Sequence, residues 1–254
     1  MAVAAFVIVP SSTRGAIVPG SLNDVAAVRT APAEATEVAP QSAAIVEDTE
    51  TREIVAQPTL RRQIPRIRFA GNRRTYEFLI AHPPFATQLA RRLSPPLERY
   101  TVTQIQEGVY TVEDRGALRG EARLIAAMGD HRVYRFQGEF RSLAHLLRFK
   151  GRIVLILQYR EVRQGNLIFI DSDPDFYLRI DHPFFHIMTK LLSPLVISIV
   201  DRRVQTMIEA TRTVFDRVRT DSSGLYRQMR AWPEVDPADA EAFRQTFLDK
   251  ENVQ

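Results

Sequence analysis

At 254 residues, 45% of them hydrophobic and 25% charged, the chain has material for one or two domains and enough apolar side chains for a sizeable core. It has no cysteine, which excludes disulfides, thiolate metal sites and a cysteine nucleophile. Its 34 Lys and Arg outnumber 30 Asp and Glu, a formal charge of +4 that admits anionic partners without choosing among nucleic acid, lipid headgroups and envelope polymers.

The first sixty residues differ from the rest. Ala2 to Val9, "AVAAFVIV", has the length of a signal-peptide core, with Thr13 and Gly15 as small residues ahead of a cleavage point. The positively charged leader is missing, so either the true start lies upstream or the run is a chance cluster. Residues 1–20 are read as a signal peptide and the chain as exported, periplasmic or extracellular, with a cytoplasmic location as the alternative. The run is too short to span a bilayer, and the apolar stretch from Phe184 to Val200 contains Lys190 and is broken by Pro194. Residues 21–60 are rich in Ala, Val, Pro, Thr, Ser and Glu, lack aromatic residues and read as a disordered spacer.

Next, "LRRQIPRIRFAGNRR" sets Arg61, Arg62, Arg66, Arg68, Arg73 and Arg74 among single apolar residues. One reading is an arm lying on an anionic membrane surface, where each arginine adds about 1 kcal/mol. The other is a solvated lead-in whose Ile67 and Phe69 attach to the fold. Thr75 to Leu93 is predicted helical in two pieces: Pro83 and Pro84 suit a first turn, Phe85, Leu89 and Leu93 make one face, and Ser94 to Pro96 ends it.

The period then changes to two. Tyr100 to Asp114 is predicted as a hairpin or a bulged strand, with Glu107 and Gly108 near the bend. In "GALRGEARLIAA", Leu118, Ala122 and Leu124 share a face. In "HRVYRFQGEFR", Tyr134, Phe136, Gly138 and Phe140 do so, and Gly129 and Asp130 turn between the two strands. "GRIVLILQYREV" is apolar on both faces, as a strand covered on both sides should be. "NLIFID" and "FYLRID" read as two further strands with Asp171-Ser-Asp-Pro-Asp175 as the turn between them. Six or seven strands with short connections and no helical crossover make an antiparallel sheet, and the fold class is α+β. Val200, Val204, Met207, Ile208, Thr211, Val214, Phe215 and Val218 form one stripe of a helix predicted from Pro194 to Arg219, about 30 Å long. The domain is thus set at 61–220. Residues 221–254 form a C-terminal extension with a short helix from Pro237 to Asp249, capped by Asp236 and packing through Phe243 and Phe247.

This order of elements resembles the START-like, helix-grip superfamily of lipid-transfer and polyketide-cyclase-type proteins. The residues that carry the likeness are "GEARLIAA", "YRFQGEF", "GRIVLILQYREV", "NLIFID" and the Val200 to Val218 stripe, over roughly residues 64–220. "HPPFATQLARRL", paired with "GRIVLILQYREV" and "LLSPLVISIVDRRV", is also similar to uncharacterised secreted bacterial proteins. The resemblance implies a cavity between curved sheet and long helix that holds an apolar ligand. Its lining would be Tyr134, Phe136, Phe140, Leu155, Leu157, Phe169, Met207 and Phe215. The same positions read independently as plain core.

Dedicated chemistry is sparse. His182 and His186 have the spacing of two zinc ligands, but no glutamate stands between them and only Asp181, His131 or His145 could complete a set. Asp171, Asp173 and Asp175 open like a calcium loop, without its glycine or its closing glutamate. No phosphate loop, nucleophile elbow or dinucleotide fingerprint occurs, no cofactor is expected, and no zinc finger or aromatic RNA-binding motif accompanies the arginines. Three functions follow: non-catalytic binding of an apolar or amphipathic, lipid-like ligand at the cell envelope; a cyclase- or hydratase-type enzyme using His131, Tyr134 or Tyr159 in the same cavity; or an envelope structural or protein-interaction module.

Overall fold

The computed structural model describes residues 47–115, 117–142, 147–181 and 204–249. Helix α1 (Thr49–Ala56) precedes strands β1 (Leu60–Gln63) and β2 (Ile67–Ala70) and helices α2 (Arg73–Ala81) and α3 (Pro83–Leu93). A 3-10 turn (Pro95–Leu97) leads into β3 (Tyr100–Gln106), β4 (Val109–Asp114), β5 (Leu118–Met128), β6 (His131–Ser142), β7 (Leu147–Gln164) and β8 (Leu167–Ile180). Helix α4, described over 204–220, is followed by α5 (Ser222–Met229) and α6 (Pro237–Phe247).

The expected α+β class holds. Every pairing is antiparallel, in the order β1-β8-β7-β6-β5-β4-β3, with β2 also on β8. Strands β1 and β2 share one edge: β1 pairs with 175–178 of β8 and β2 with 169–172. The Asp171 to Asp175 run is therefore no turn but the middle of a single 14-residue strand. Pro174 is tolerated there because its carbonyl accepts from Ile64 N at 3.2 Å, in the gap between β1 and β2. In an antiparallel strand a residue's N–H and C=O point the same way, so the missing donor also faces that gap.

The sheet has two apolar faces. The inner face carries Tyr110, Val112, Leu118, Ala122, Phe136, Ile153, Ile170 and Phe176, packed against α2, α3 and α4 in one cluster. Val204, Met207, Ile208, Thr211, Val214, Phe215 and Val218 of α4 are all buried, as the stripe predicts. Val200 and the expected first turns of that helix lie outside the described residues.

On the outer face, Val133, Val154, Ile156 and Tyr177 surround Ile54 of α1, whose side chain is fully buried. Asp48 caps α1 by accepting from Thr51 N at 2.8 Å. The sheet then holds it by charge: Arg135 with Asp48 and Glu50, Arg152 with Glu50, and Arg179 with Glu53. Strand β7 is covered on both sides as expected, but the cover comes from the segment read as spacer, which at its end is a helix followed by β1. The sequence beyond 220 also belongs to the same core. Leu225, Met229 and Phe243 are buried in it, and Asp236 caps α6 through Ala238 N at 2.8 Å.

Candidate functional site

Where β2 ends, Gly71 donates to Ile168 O at 3.0 Å, and Asn72 opens α2 by accepting from Thr75 N at 2.9 Å. A side chain at 71 would meet the Phe215 ring at 2.9 Å, so glycine lets that ring lie against the backbone. Phe215 stacks on Phe69 at 5.2 Å, joining α4 to β2. Beside this contact an open groove of about 660 Å³ runs between the β7–β8 turn, the start of α2 and the ends of α4 and α6. Phe169 and Phe247 give it apolar walls over a base closed by Phe215 and Val218, each only 2% exposed, and Arg74 and Arg219 stand on its rim. Among the described residues its lining contains those two arginines and no carboxylate. The Arg74 guanidinium lies 6.0 Å from the Phe247 ring centre, and Arg219 bonds Asp216 at 3.3 Å with both side chains more than half exposed. Both guanidiniums thus have donors to spare for a ligand, and an arginine fork suits a carboxylate or phosphate.

The structure divides the expected ligand residues. Tyr134, Phe136, Phe140, Leu155, Leu157 and Met207 sit at 0–4% exposure within the inner core. A side chain facing a water-sized void would keep accessible surface, so these six pack against protein. Phe215, at 2%, is core by the same measure and only closes the base of the groove. Phe169 is not inward: with β8 unbroken, Ile170, Phe176 and Leu178 fix the inner face, and Phe169 falls on the other, 5.4 Å beneath the Arg68 guanidinium. It reaches the groove from that side. Sequence reading missed Arg219, Val218 and Phe247 as partners in one site. The one available signal was Phe247, four residues after Phe243 on the same helix face.

The six arginines of the expected arm are spread over two strands and a helix. Arg61 and Arg62 lie on β1, Arg66 and Arg68 flank and occupy β2, and Arg73 and Arg74 start α2. Arg66 pairs with Asp173 at 2.8 Å, Arg68 with Asp171 at 2.6 Å and Arg73 with Glu77 at 2.7 Å, while Arg61 lies over the Tyr177 ring at 5.3 Å. Ile67 and Phe69 are buried, so the segment is attached to the fold through them. The aspartates that take Arg66 and Arg68 are those of the proposed calcium loop, which as alternate residues of a strand share its outer face. The Arg68 guanidinium holds the Asp171 carboxyl below its usual range despite burial, which acts the other way. Burial raises Asp175.

Near the Gly129 turn a group of tyrosines lines the inner face. Tyr76 and Tyr159 rings lie 4.6 Å apart, the Tyr76 hydroxyl meets Ser172 Oγ at 3.2 Å, and Tyr159 donates to Glu77 Oε1 at 3.1 Å. Burial pushes the Tyr76, Tyr110, Tyr134 and Tyr159 hydroxyls upward, which keeps them protonated near neutrality. His131 pairs with Asp130 at 2.6 Å on a partly exposed turn, not inside the fold. His145, His182 and His186 lie outside the described residues, among which no group of three metal-ligating His, Asp or Glu occurs.

No family model and no curated protein matches the chain. Among solved structures it is similar to a conserved protein from Geobacillus kaustophilus at 10% identity, covering 57% of this chain and 92% of that one with a TM-score of 0.34. Truncated norcoclaurine synthase from Thalictrum flavum is 14% identical, with 65% and 97% covered and a TM-score of 0.35. An uncharacterised protein from Rhizobium leguminosarum is 11% identical, with 59% and 99% covered and a TM-score of 0.25. At such scores these likenesses add nothing to the functional reading, which rests on the geometry of this chain.

Proposed function

We propose that the chain is a non-catalytic binding protein of START-like, helix-grip type for an amphipathic, lipid-like molecule with an anionic head, acting at the cell envelope. The observation that carries this is the groove beside Phe215, with apolar floor and arginine rim. Its volume of about 660 Å³ lies within the roughly 300–1,000 Å³ of small-molecule sites. It opens where the long helix meets the sheet edge, so the ligand enters at the end of the helix–sheet junction instead of beneath its middle. An acyl chain lies along Phe169 and Phe247 over the base that Phe215 and Val218 close, and a carboxylate or phosphate meets Arg74 and Arg219.

Purified full-length chain titrated with a fluorescent fatty acid tests the reading, with native mass spectrometry giving the stoichiometry. One ligand per chain is expected. Arg74→Glu with Arg219→Glu should weaken the acid about tenfold or more, leaving a fatty alcohol of equal length nearly unaffected. Failure to take up either compound overturns the proposal. The close packing of the six inner residues favours a second reading, a protein-interaction module; a mass that rises with concentration, or one partner retained through purification, would support it.

A further inference from the structure

Three large hydrophobic side chains stand exposed among the described residues: Ile105 at 55%, Met128 at 46% and Leu167 at 60%. Single exposed apolar residues are ordinary, but the placing of these three is not random. Ile105 precedes the β3–β4 turn, Met128 ends β5 before the β5–β6 turn, and Leu167 begins β8 after the β7–β8 turn. In an antiparallel meander alternate turns come to the same end, so all three lie at one end of the sheet. The tips are stepped in one direction. With Val109 opposite Arg123, residues 124–128 of β5 run past β4; with His131 opposite Gln158, residues 159–164 of β7 run past β6. The three side chains therefore follow one slanting rim. Ile105 is carried out of the ladder by a register shift between Gln104 and Gln106, and such bulges re-aim side chains.

Arginines interleave with these tips. The first turn of α2 fills the step between Met128 and Leu167, where Arg73 Nη2 donates to Gly129 O at 3.4 Å. Arg74 and Arg219 share the groove with Leu167, and the Arg163 side chain, at the end of β7, is 76% exposed. Glu107, Asp130, Glu161 and Asp216 also lie at this end. Asp130 is bonded to His131, Glu161 accepts from Arg73 N and Asp216 pairs with Arg219.

We infer that this rim docks on an anionic lipid bilayer, with Leu167, Met128 and Ile105 entering the headgroup–acyl boundary and Arg74, Arg163 and Arg219 meeting lipid phosphates. Apolar insertion supplies most of the binding and the arginines its preference for anionic lipid, since carboxylates at the same end temper the charge. Among the described residues no helix is long and apolar enough to cross a membrane, so the contact is peripheral. The groove opens on this rim.

Flotation of the full-length chain with phosphatidylcholine vesicles, with and without phosphatidylserine, tests the inference. Wild type should float with the anionic vesicles, less with the neutral ones, and less as salt rises. Ile105→Asp, Met128→Asp and Leu167→Asp combined should cut flotation about tenfold or more, whereas Thr213→Asp on the exposed side of α4 should not. Where the triple variant loses its circular dichroism, Leu167→Ser and Met128→Ser alone carry the comparison. Wild type failing to float, variants floating as well as wild type, or a dimer forming through the tips with vesicles left unbound each overturns it. Ile105 and Met128 do not line the groove, so Ile105→Asp and Met128→Asp should take up fatty acid from solution as wild type does. That readout separates the fate of docking from that of the groove.

Discussion

Arg68 and Asp171 face each other in register across β2 and β8 and meet through two bonds, Nε to Oδ1 at 2.6 Å and Nη2 to Oδ2 at 2.8 Å. Four residues along the same strand face, Asp175 has a buried Oδ1 with no hydrogen-bond partner. The two carboxylates therefore act on stability with opposite signs. Asp171, whose folded pKa is depressed from 3.8, stabilises the protein above the unfolded value and loses that contribution as pH falls through the folded one. Asp175, whose folded pKa is raised from 3.8, weakens the fold as pH rises through the interval between the two values. Asp171→Asn should lower the urea midpoint at neutral pH, with the difference from wild type closing below about pH 4. Asp175→Asn should raise the midpoint at neutral pH and leave it unchanged in acid. Urea titrations at several pH values check both signs.

Ile54 fills the outer-face cluster at 0% exposure, and α1 is only eight residues long, too short to persist alone. Ile54→Ala should cost about 2–4 kcal/mol, or else free α1 from the sheet, since the helix has no other apolar anchor of that depth. Chemical denaturation measures the first outcome. Faster proteolysis at Arg52, against an unchanged pattern elsewhere, reports the second.

Gly120, Gly138 and Gly151 stand in register across β5, β6 and β7. A Cβ built on Gly138 would lie 2.4 Å from Phe136 Cζ and 2.6 Å from Arg119 O. Gly138→Ala should therefore cost about 1–3 kcal/mol, and Phe136→Leu should recover only part, because the backbone contact remains. Gly129→Ala meets nothing within 4 Å and should cost about 1–2 kcal/mol, from its positive φ of 53° alone. Thermal denaturation of the three variants distinguishes steric from backbone strain.

Asp236→Ala removes the cap of α6 and should cost about 1 kcal/mol. Because α6 carries Phe243 into the core and Phe247 into the groove, fatty-acid uptake should weaken several-fold although both rim arginines are intact. Paired unfolding and binding curves show whether groove and helix are coupled.

Strong local periods made most of the fold legible. The alternation in Leu118 to Leu124 and in Tyr134 to Phe140, the turn glycines Gly108 and Gly129 and the stripe of α4 all say the same thing at every level. Two features misled. Pro174 amid aspartates reads as a turn because its exemption depends on Ile64, more than a hundred positions away, and dividing β8 there detached Phe169 from the face that Phe176 sets. The α1 sequence "TETREIVA" offers one deeply buried apolar residue in eight, so it resembles the polar segment before it; only the arginines of β6, β7 and β8 give it a place. The groove draws on β2, α2, β8, α4, α5 and α6, and no local pattern announces such a meeting.

The edge formed by β1 and β2 has a consequence for biosynthesis. The Arg68–Asp171 and Arg66–Asp173 pairs that tie it to β8 join residues 103 and 107 apart in the chain. At roughly 5–20 residues per second, the ribosome delivers β8 on the order of five to twenty seconds after β2. During that interval Ile67 and Phe69 have been translated but have no strand to pair with, while the local hairpins from β3 onward close in sequence. Holding those two side chains away from other nascent chains is therefore a task for whatever accompanies this protein during synthesis.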